Sequence, residues 1–241
     1  MRKFRFMAGK TTIEIPDFQG FSPKAASFLK ALKRNNRREW FQPRKDDYEQ
    51  LLHLPMMALV CELAEECKSF APEIRFDPRK SLLRIYRDTR FSKDKTPYKD
   101  FVAAKFPFGT ATKDVDSLGF YIHFEPGEFF IGGGIYKPST EQLRKIREMI
   151  LQNPDAFSDI VDNRVFKKHF GEIQGEKLKK VPAGISADHE LAEYFKLKQF
   201  FVSISFPEEA AYKKDLPKKI AKEFKEMMVF ARWLNKSQSL W

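Results

Sequence analysis

Cysteine is nearly absent from this chain. The 241 residues hold two, Cys61 and Cys67. They stand six apart in an apolar, helical-looking stretch, a spacing that does not bring two side chains together on a helix. They read as buried free thiols of a reducing compartment, which makes the cytoplasm the expected location. Histidine is also scarce: His53, His123, His169 and His189. None is paired at metal-ligand spacing, and neither HExxH nor CxxC occurs, so no metal site and no cofactor are expected. No Gly-x-Ser-x-Gly elbow is present, and no strand–glycine loop–helix of the dinucleotide kind opens the chain. No apolar run reaches about 18 residues, so no membrane span is expected. The N-terminal Met1-Arg-Lys-Phe-Arg-Phe is basic without an apolar core behind it, which predicts no signal peptide. Repeats and low-complexity linkers are missing as well. Acidic residues are the minority charge, 33 against 44 Lys and Arg, for a net charge of +11. Such an excess favours anionic partners. The lysines are spread along the whole chain, without the single stripe or tail that a nucleic-acid footprint would show.

Hydrophobic and aromatic residues are plentiful. Hydrophobic content is 42%, and 25 residues are phenylalanine, so an aromatic-rich globular core is expected. A chain this long can bury roughly 70–75% of its extended surface.

One stretch concentrates the polar chemistry. Residues 84–90 carry three arginines and an aspartate, Arg84, Arg87, Asp88 and Arg90. Strand alternation puts Arg84, Tyr86, Asp88 and Arg90 on one face, and Leu83, Ile85, Arg87, Thr89 and Phe91 on the other. Guanidinium forks suit carboxylate and phosphate oxygens because they bind two at once. The loop that follows adds Lys95 and Tyr98. Arg87, on the opposite face, is expected to brace a helix end near Asn36.

The remaining elements follow from local signals. Ser22-Pro23 opens a helix with Ala25, Phe28, Leu29 and Leu32 on its buried side, stopping near Asn35-Asn36. Trp40 and Phe41 are expected to plug the core below that turn. Trp40 can alternatively offer a flat face at the arginine site. Residues 44–69 read as one long helix, or two meeting at Pro55. A strand is expected over Phe101–Phe108 and a loop over Thr110–Ser117. Phe120–Glu125 and Glu128–Tyr136 then form a hairpin about Pro126-Gly127. Its apolar face is Phe120, Ile122, Phe124, Phe129 and Ile131. The other face carries Tyr121, His123, Phe130, Gly132, Gly134 and Tyr136. Those glycines imply either a groove walled by Tyr121 and His123 or a closely crossing helix. Ser139 starts a capping box with Gln142, and Asn153-Pro154 starts a short helix. Residues 163–185 are not placed. Asp188–Lys196 reads helical, Phe200–Phe206 alternates like a strand, and a last helix begins near Asp215.

The fold expected is α+β. A mostly antiparallel sheet, about residues 82–136, is covered by helices from both ends of the chain, in a single domain over 1–241. Candidate ligand-binding residues are Arg84, Asp88, Arg90, Lys95, Tyr98, Tyr121 and His123. Arg87, Asn36, Trp40, Gly132 and Gly134 are candidate supports.

The stretch also resembles a known family. Arg84, Arg87, Asp88, Arg90, Phe91, Lys95 and Tyr98 match the RxxRDxRF-type signature of the DUF2461 family, and Asn35-Asn36 with Trp40-Phe41, and Gly119–Tyr136, look like further parts of it. The resemblance implies a widespread bacterial family of about this length with no established function. Three functional readings stay open. In the first the motif holds a small phosphate- or carboxylate-bearing ligand, with or without turnover; in the second it meets nucleic acid; in the third it is an Arg/Asp network that only holds the fold together. Oligomeric state is not read from the sequence.

Overall fold

Strands β1 (Phe4–Ala8) and β2 (Thr11–Ile15) pair antiparallel, Phe4 opposite Ile15 and Ala8 opposite Thr11, in a computed structural model that describes residues 4–8, 11–90, 92–109 and 118–239. Helix α1 (Pro23–Arg34) follows. The Ser22 hydroxyl accepts the Lys24 N–H, and Pro23 occupies the first turn, where its missing N–H costs nothing. Asn35 ends the helix: its backbone N–H reaches the Ala31 and Leu32 carbonyls, and its side chain donates to Ala31 O. Short turns over Arg38–Phe41, Gln42–Arg44 and Lys45–Tyr48 and a π-turn over Glu49–His53 then lead into α2 (Leu54–Cys67), with Pro55 in its first turn. The proline thus starts a helix after an irregular approach, for the same reason as Pro23.

Strand β3 (Val102–Pro107) opens the main sheet, and β4 (Gly119–Glu125) and β5 (Glu128–Ile135) form the hairpin about Pro126-Gly127. Gly127 supplies the positive φ, +91°, that the turn needs. The loop expected over Thr110–Ser117 lies outside the described residues. Helix α3 (Thr140–Gln152) starts from the full Ser139/Gln142 capping box. Helices α4 (Pro154–Val161) and α5 (Arg164–Phe170) follow, and the helical reading of Asp188–Lys196 shrinks to one turn, Ala192–Phe195. Strand β6 (Phe200–Phe206) and helix α6 (Leu216–Ser239) complete the order. The four strands form one antiparallel sheet in the order β3-β4-β5-β6, giving the α+β architecture. Residues beyond Phe170 join it through bridges, Gln174 to Phe201 and Lys177 to Leu197. No helix among the described residues is long and apolar enough to cross a membrane.

The chain forms two compact units. One comprises Met1–Phe106, Tyr121–Ile131 and Ser205–Ala221; the other comprises Pro107–Phe120, Gly132–Ile204 and Lys222–Trp241. Both have aromatic cores. In the first, Phe21 packs 4.8 Å from Phe124 and T-shaped on Phe18, all fully or nearly fully buried. In the second, Phe120 stacks on Phe224 at 4.1 Å, and Phe157 meets Trp233 at 4.9 Å. A fully buried phenylalanine contributes about 1.5–3 kcal/mol, which is how a chain so rich in this residue sustains two cores.

Candidate functional site

Residues 82–90 are extended but form no continuous ladder. Bridges pair Leu82 with Ala104 and Tyr86 with Tyr98. The backbone bonds between them are Leu83 N to Ala103 O (2.9 Å), Lys99 N to Ile85 O (2.8 Å) and Arg87 N to Pro97 O (2.9 Å). The strand expected here is therefore an antiparallel companion of residues 97–104. The motif chain turns back on itself through the polar loop, where Asp94 accepts the Thr96 N–H (2.9 Å) and hydroxyl (2.8 Å). Exposure follows period two: Arg84, Tyr86, Asp88 and Arg90 are exposed, Ile85 is buried, and Arg87 and Thr89 are half-buried. Phe91 lies outside the described residues.

The inner face is organised by Arg87. Its Nε donates to the Tyr98 carbonyl (2.6 Å), Nη1 to Asp94 Oδ2 (3.0 Å) and Nη2 to Asp100 Oδ1 (2.7 Å). Asp100 also meets the Lys33 ammonium at 3.3 Å. Asn36 completes the arrangement from the end of α1. Its Nδ2 donates to the same Tyr98 carbonyl (2.9 Å) and its Oδ1 accepts the Tyr98 N–H (3.0 Å). Both lone pairs of that carbonyl are thus used, and two side chains replace the ladder the backbone lacks here. Tyr98, expected to face a ligand, is instead fully buried. Its ring stacks on Phe41 at 4.2 Å, because the bonds to its own backbone draw it under the α1 end. Its hydroxyl has no hydrogen-bond partner among the described residues. Trp40 packs on Phe28 (5.6 Å) and carries the Arg44 guanidinium over its other surface at 4.7 Å. Tyr48, buried between Phe28 and Phe41, has its pKa pushed up by that burial.

The outer face is cationic. Arg90 grips Asp88 with a fork, Nε to Oδ1 at 3.0 Å and Nη2 to Oδ2 at 2.8 Å. That side-chain bond, helped by the Arg90 N–H, holds the Asp88 carboxyl down at about 2. Lys95 donates to the Thr89 carbonyl (2.8 Å) and Lys99 to the Arg84 carbonyl (2.6 Å). The Lys99 pKa is lowered, first by burial and then by Arg84, Arg87 and Lys105 around it. The Arg84 guanidinium makes no hydrogen bond or ion pair among the described residues.

His123 and Tyr121 lie in the same unit on β4. Their hydroxyl and Nδ1 share a hydrogen bond of 2.9 Å. His123 was expected to wall a ligand groove. It is only 7% exposed, clamped between Phe101 (4.3 Å) and Phe130 (4.6 Å, stacked). Burial lowers its pKa and outweighs Glu125, whose carboxylate stands 3.6 Å from Nε2. It is a packed, neutral histidine. In the second unit the space above Gly132 and Gly134 is filled by strand β6, neither a groove nor a helix. A Cβ on Gly132 would stand 3.1 Å from Val202 O, and one on Gly134 2.2 Å from Phe200 O. The crossing helix is found at Gly133, where a Cβ would lie 3.0 Å from Met227 Sδ of α6.

A family model described as a conserved hypothetical protein, DUF2461, matches residues 24–233. The chain belongs to the DUF2461 family. It matches no curated protein. The DUF2461 match spans every residue of the arrangement just described, from Lys33 to Lys105. Within it the motif divides into an inner Arg87 node and an outer face that carries Arg84, the Asp88–Arg90 pair, Lys95 and Lys99. Lys99, Asp94, Asp100 and Lys33 were not singled out from sequence. Lys99 was findable: in an antiparallel pair closed by the 93–97 loop it must lie beside Arg84 or Ile85. Lys33 gave no such signal, since its partner is far away in sequence. No cluster of metal-ligating side chains occurs among the described residues.

Proposed function

We propose that the outer face of the motif binds a small anion, phosphate- or carboxylate-bearing, between Arg84 and Lys99. The observation that carries this reading is the cluster itself. Burial lowers the Lys99 pKa, and Arg84, Arg87 and Lys105 stand close enough to add to that lowering; the Arg84 guanidinium forms no ion pair among the described residues, though its charge is felt by Asp88. Like charges gathered around Lys99 repel one another, and an anion placed among them relieves that cost. The exposed Arg84 fork supplies two parallel donors, and Lys99 supplies a charge already anchored by its bond to Arg84 O. Asp88 and Arg90 flank the place but are occupied with each other.

The inner node supports a structural role for the rest of the motif. Arg87 spends all three of its directions on Tyr98, Asp94 and Asp100. It is a support and not a ligand contact. No reaction is assigned to either face.

The test is a binding measurement. Inorganic phosphate and small phosphate or carboxylate esters should raise the melting temperature of the wild type, and Arg84→Ala and Lys99→Ala should each lose most of that rise. Without ligand, both variants should melt close to the wild type, since neither side chain's head group holds other side chains. Phosphate binding that is unchanged in both variants would refute the site.

A further inference from the structure

The outer face carries one aromatic side chain as well as its cations. Tyr86 stands between Arg84 and Asp88 in sequence and on the same exposed face. It is 45% exposed, although it neighbours the fully buried Tyr98. Its ring meets Tyr98 at 5.5 Å in a tilted contact, and Tyr98 is in turn stacked on Phe41. The Tyr86–Tyr98 bridge also fixes its backbone. Close to half of the tyrosine is thus left open to solvent. Two residues along an extended chain is about 7 Å, so Arg84 and Tyr86 leave the backbone about that far apart on one exposed face. Lys99 is tied to the Arg84 carbonyl.

From this juxtaposition we infer that the anion is the phosphate of a nucleotide, whose base stacks on Tyr86 while Arg84 and Lys99 take the phosphate. The inference rests on the anion site proposed above and adds the aromatic half of the ligand. The physical reason is that a stacking face next to a phosphate fork matches both parts of a nucleotide at once. Each part alone is met by only one of the two features. Base stacking is indifferent to which base is present, so the site is expected to tolerate purines broadly and to favour them over pyrimidines for their larger rings. The nucleotide can be free or part of a single strand, since the same contacts serve both.

The experiment compares AMP, ribose 5-phosphate, inorganic phosphate and a short single-stranded oligoadenylate by calorimetric titration, each at the same two salt concentrations. AMP should bind about tenfold more tightly than ribose 5-phosphate, the order of one base–aromatic stack. Tyr86→Ala should erase that difference while leaving the ribose 5-phosphate affinity in place, and Tyr86→Phe should preserve it. Arg84→Ala should weaken all four. If oligoadenylate binds more tightly than AMP with a steeper salt dependence, the source is a single strand; if the two are alike per nucleotide, it is the free nucleotide. Equal affinities for AMP and ribose 5-phosphate in the wild type overturn the nucleotide inference and leave the anion site standing. Absence of binding by all four overturns both. If Tyr86→Ala does not fold, the wild-type comparison and Tyr86→Phe decide the question by themselves.

Discussion

Removing Arg87 should unfasten the motif from the end of α1. The cost follows from its three bonds. Hydrogen bonds to charged groups contribute about 1.5–3 kcal/mol each when well buried. The Asp94 contact is left out of the sum, because that carboxylate is exposed and its pair with Arg87 is screened by solvent. The Asp100 contact keeps about 1.5 kcal/mol, since that carboxylate is only 15% exposed. The bond to the Tyr98 carbonyl adds about 1 kcal/mol and no more, because Asn36 still satisfies that oxygen. Arg87→Ala is therefore expected to cost about 2.5 kcal/mol, or about 5–10 °C in melting temperature for a chain of this size. Arg87→Lys should recover less than half, because one ammonium cannot span three acceptors set for a fork. The assay is urea denaturation followed by circular dichroism, with double-mutant cycles to Asp94→Asn and Asp100→Asn. The Asp100 coupling should be about 1 kcal/mol or more and the Asp94 coupling near zero. The reasoning fails if Arg87→Ala lies within about 0.5 kcal/mol of the wild type, or if the Asp94 coupling is the larger of the two.

Other expectations test the packing around the motif and sheet. Burial lowers the His123 pKa below its unfolded value of about 6.5, so its contribution to stability is present above that value and is lost as pH falls through the lowered one; denaturation midpoints at pH 7.5 and 5 should differ, and His123→Phe, which keeps the ring stack, should shrink the difference. Gly134→Ala should destabilise far more than Gly127→Ala, as judged by melting temperature or by loss of soluble protein. Both need positive φ, which costs an alanine about 1–2 kcal/mol, but only at Gly134 would the new Cβ also strike a backbone carbonyl. Cys61 and Cys67 are buried, with thiols pushed up to about 12; both should resist a thiol reagent in the native protein and react at once in urea, and rapid native labelling would contradict their burial.

The features set by near neighbours were legible in the sequence. The ends of α1 follow from Ser22, Pro23 and Asn35, the hairpin from Pro126 and Gly127, and the alternation of exposure along 84–90 from the strand period. Each of these depends on bonds or steric limits spanning a few residues. The prediction that Arg87 leaves the cationic face toward Asn36 rested on the same alternation, and the two side chains do converge on Tyr98 O. Only the tertiary structure decided who the partners are. Asn36 bonds Tyr98 across 62 residues, and nothing in either residue's neighbourhood encodes that distance. The same holds for Tyr98 and His123. Each is polar at one atom and aromatic elsewhere, so a sequence pattern cannot tell whether the ring or the polar tip decides its position. Folding settled both by enclosing the rings, Tyr98 against Phe41 and His123 between Phe101 and Phe130. The glycines at 132 and 134 announced a close approach correctly, but its source, the backbone of β6 some 70 residues later, was fixed by strand order alone. Charge behaved differently again. The sequence contained the excess of cations, while their grouping at Arg84 and Lys99 required two segments to fold back on each other and bring like charges together.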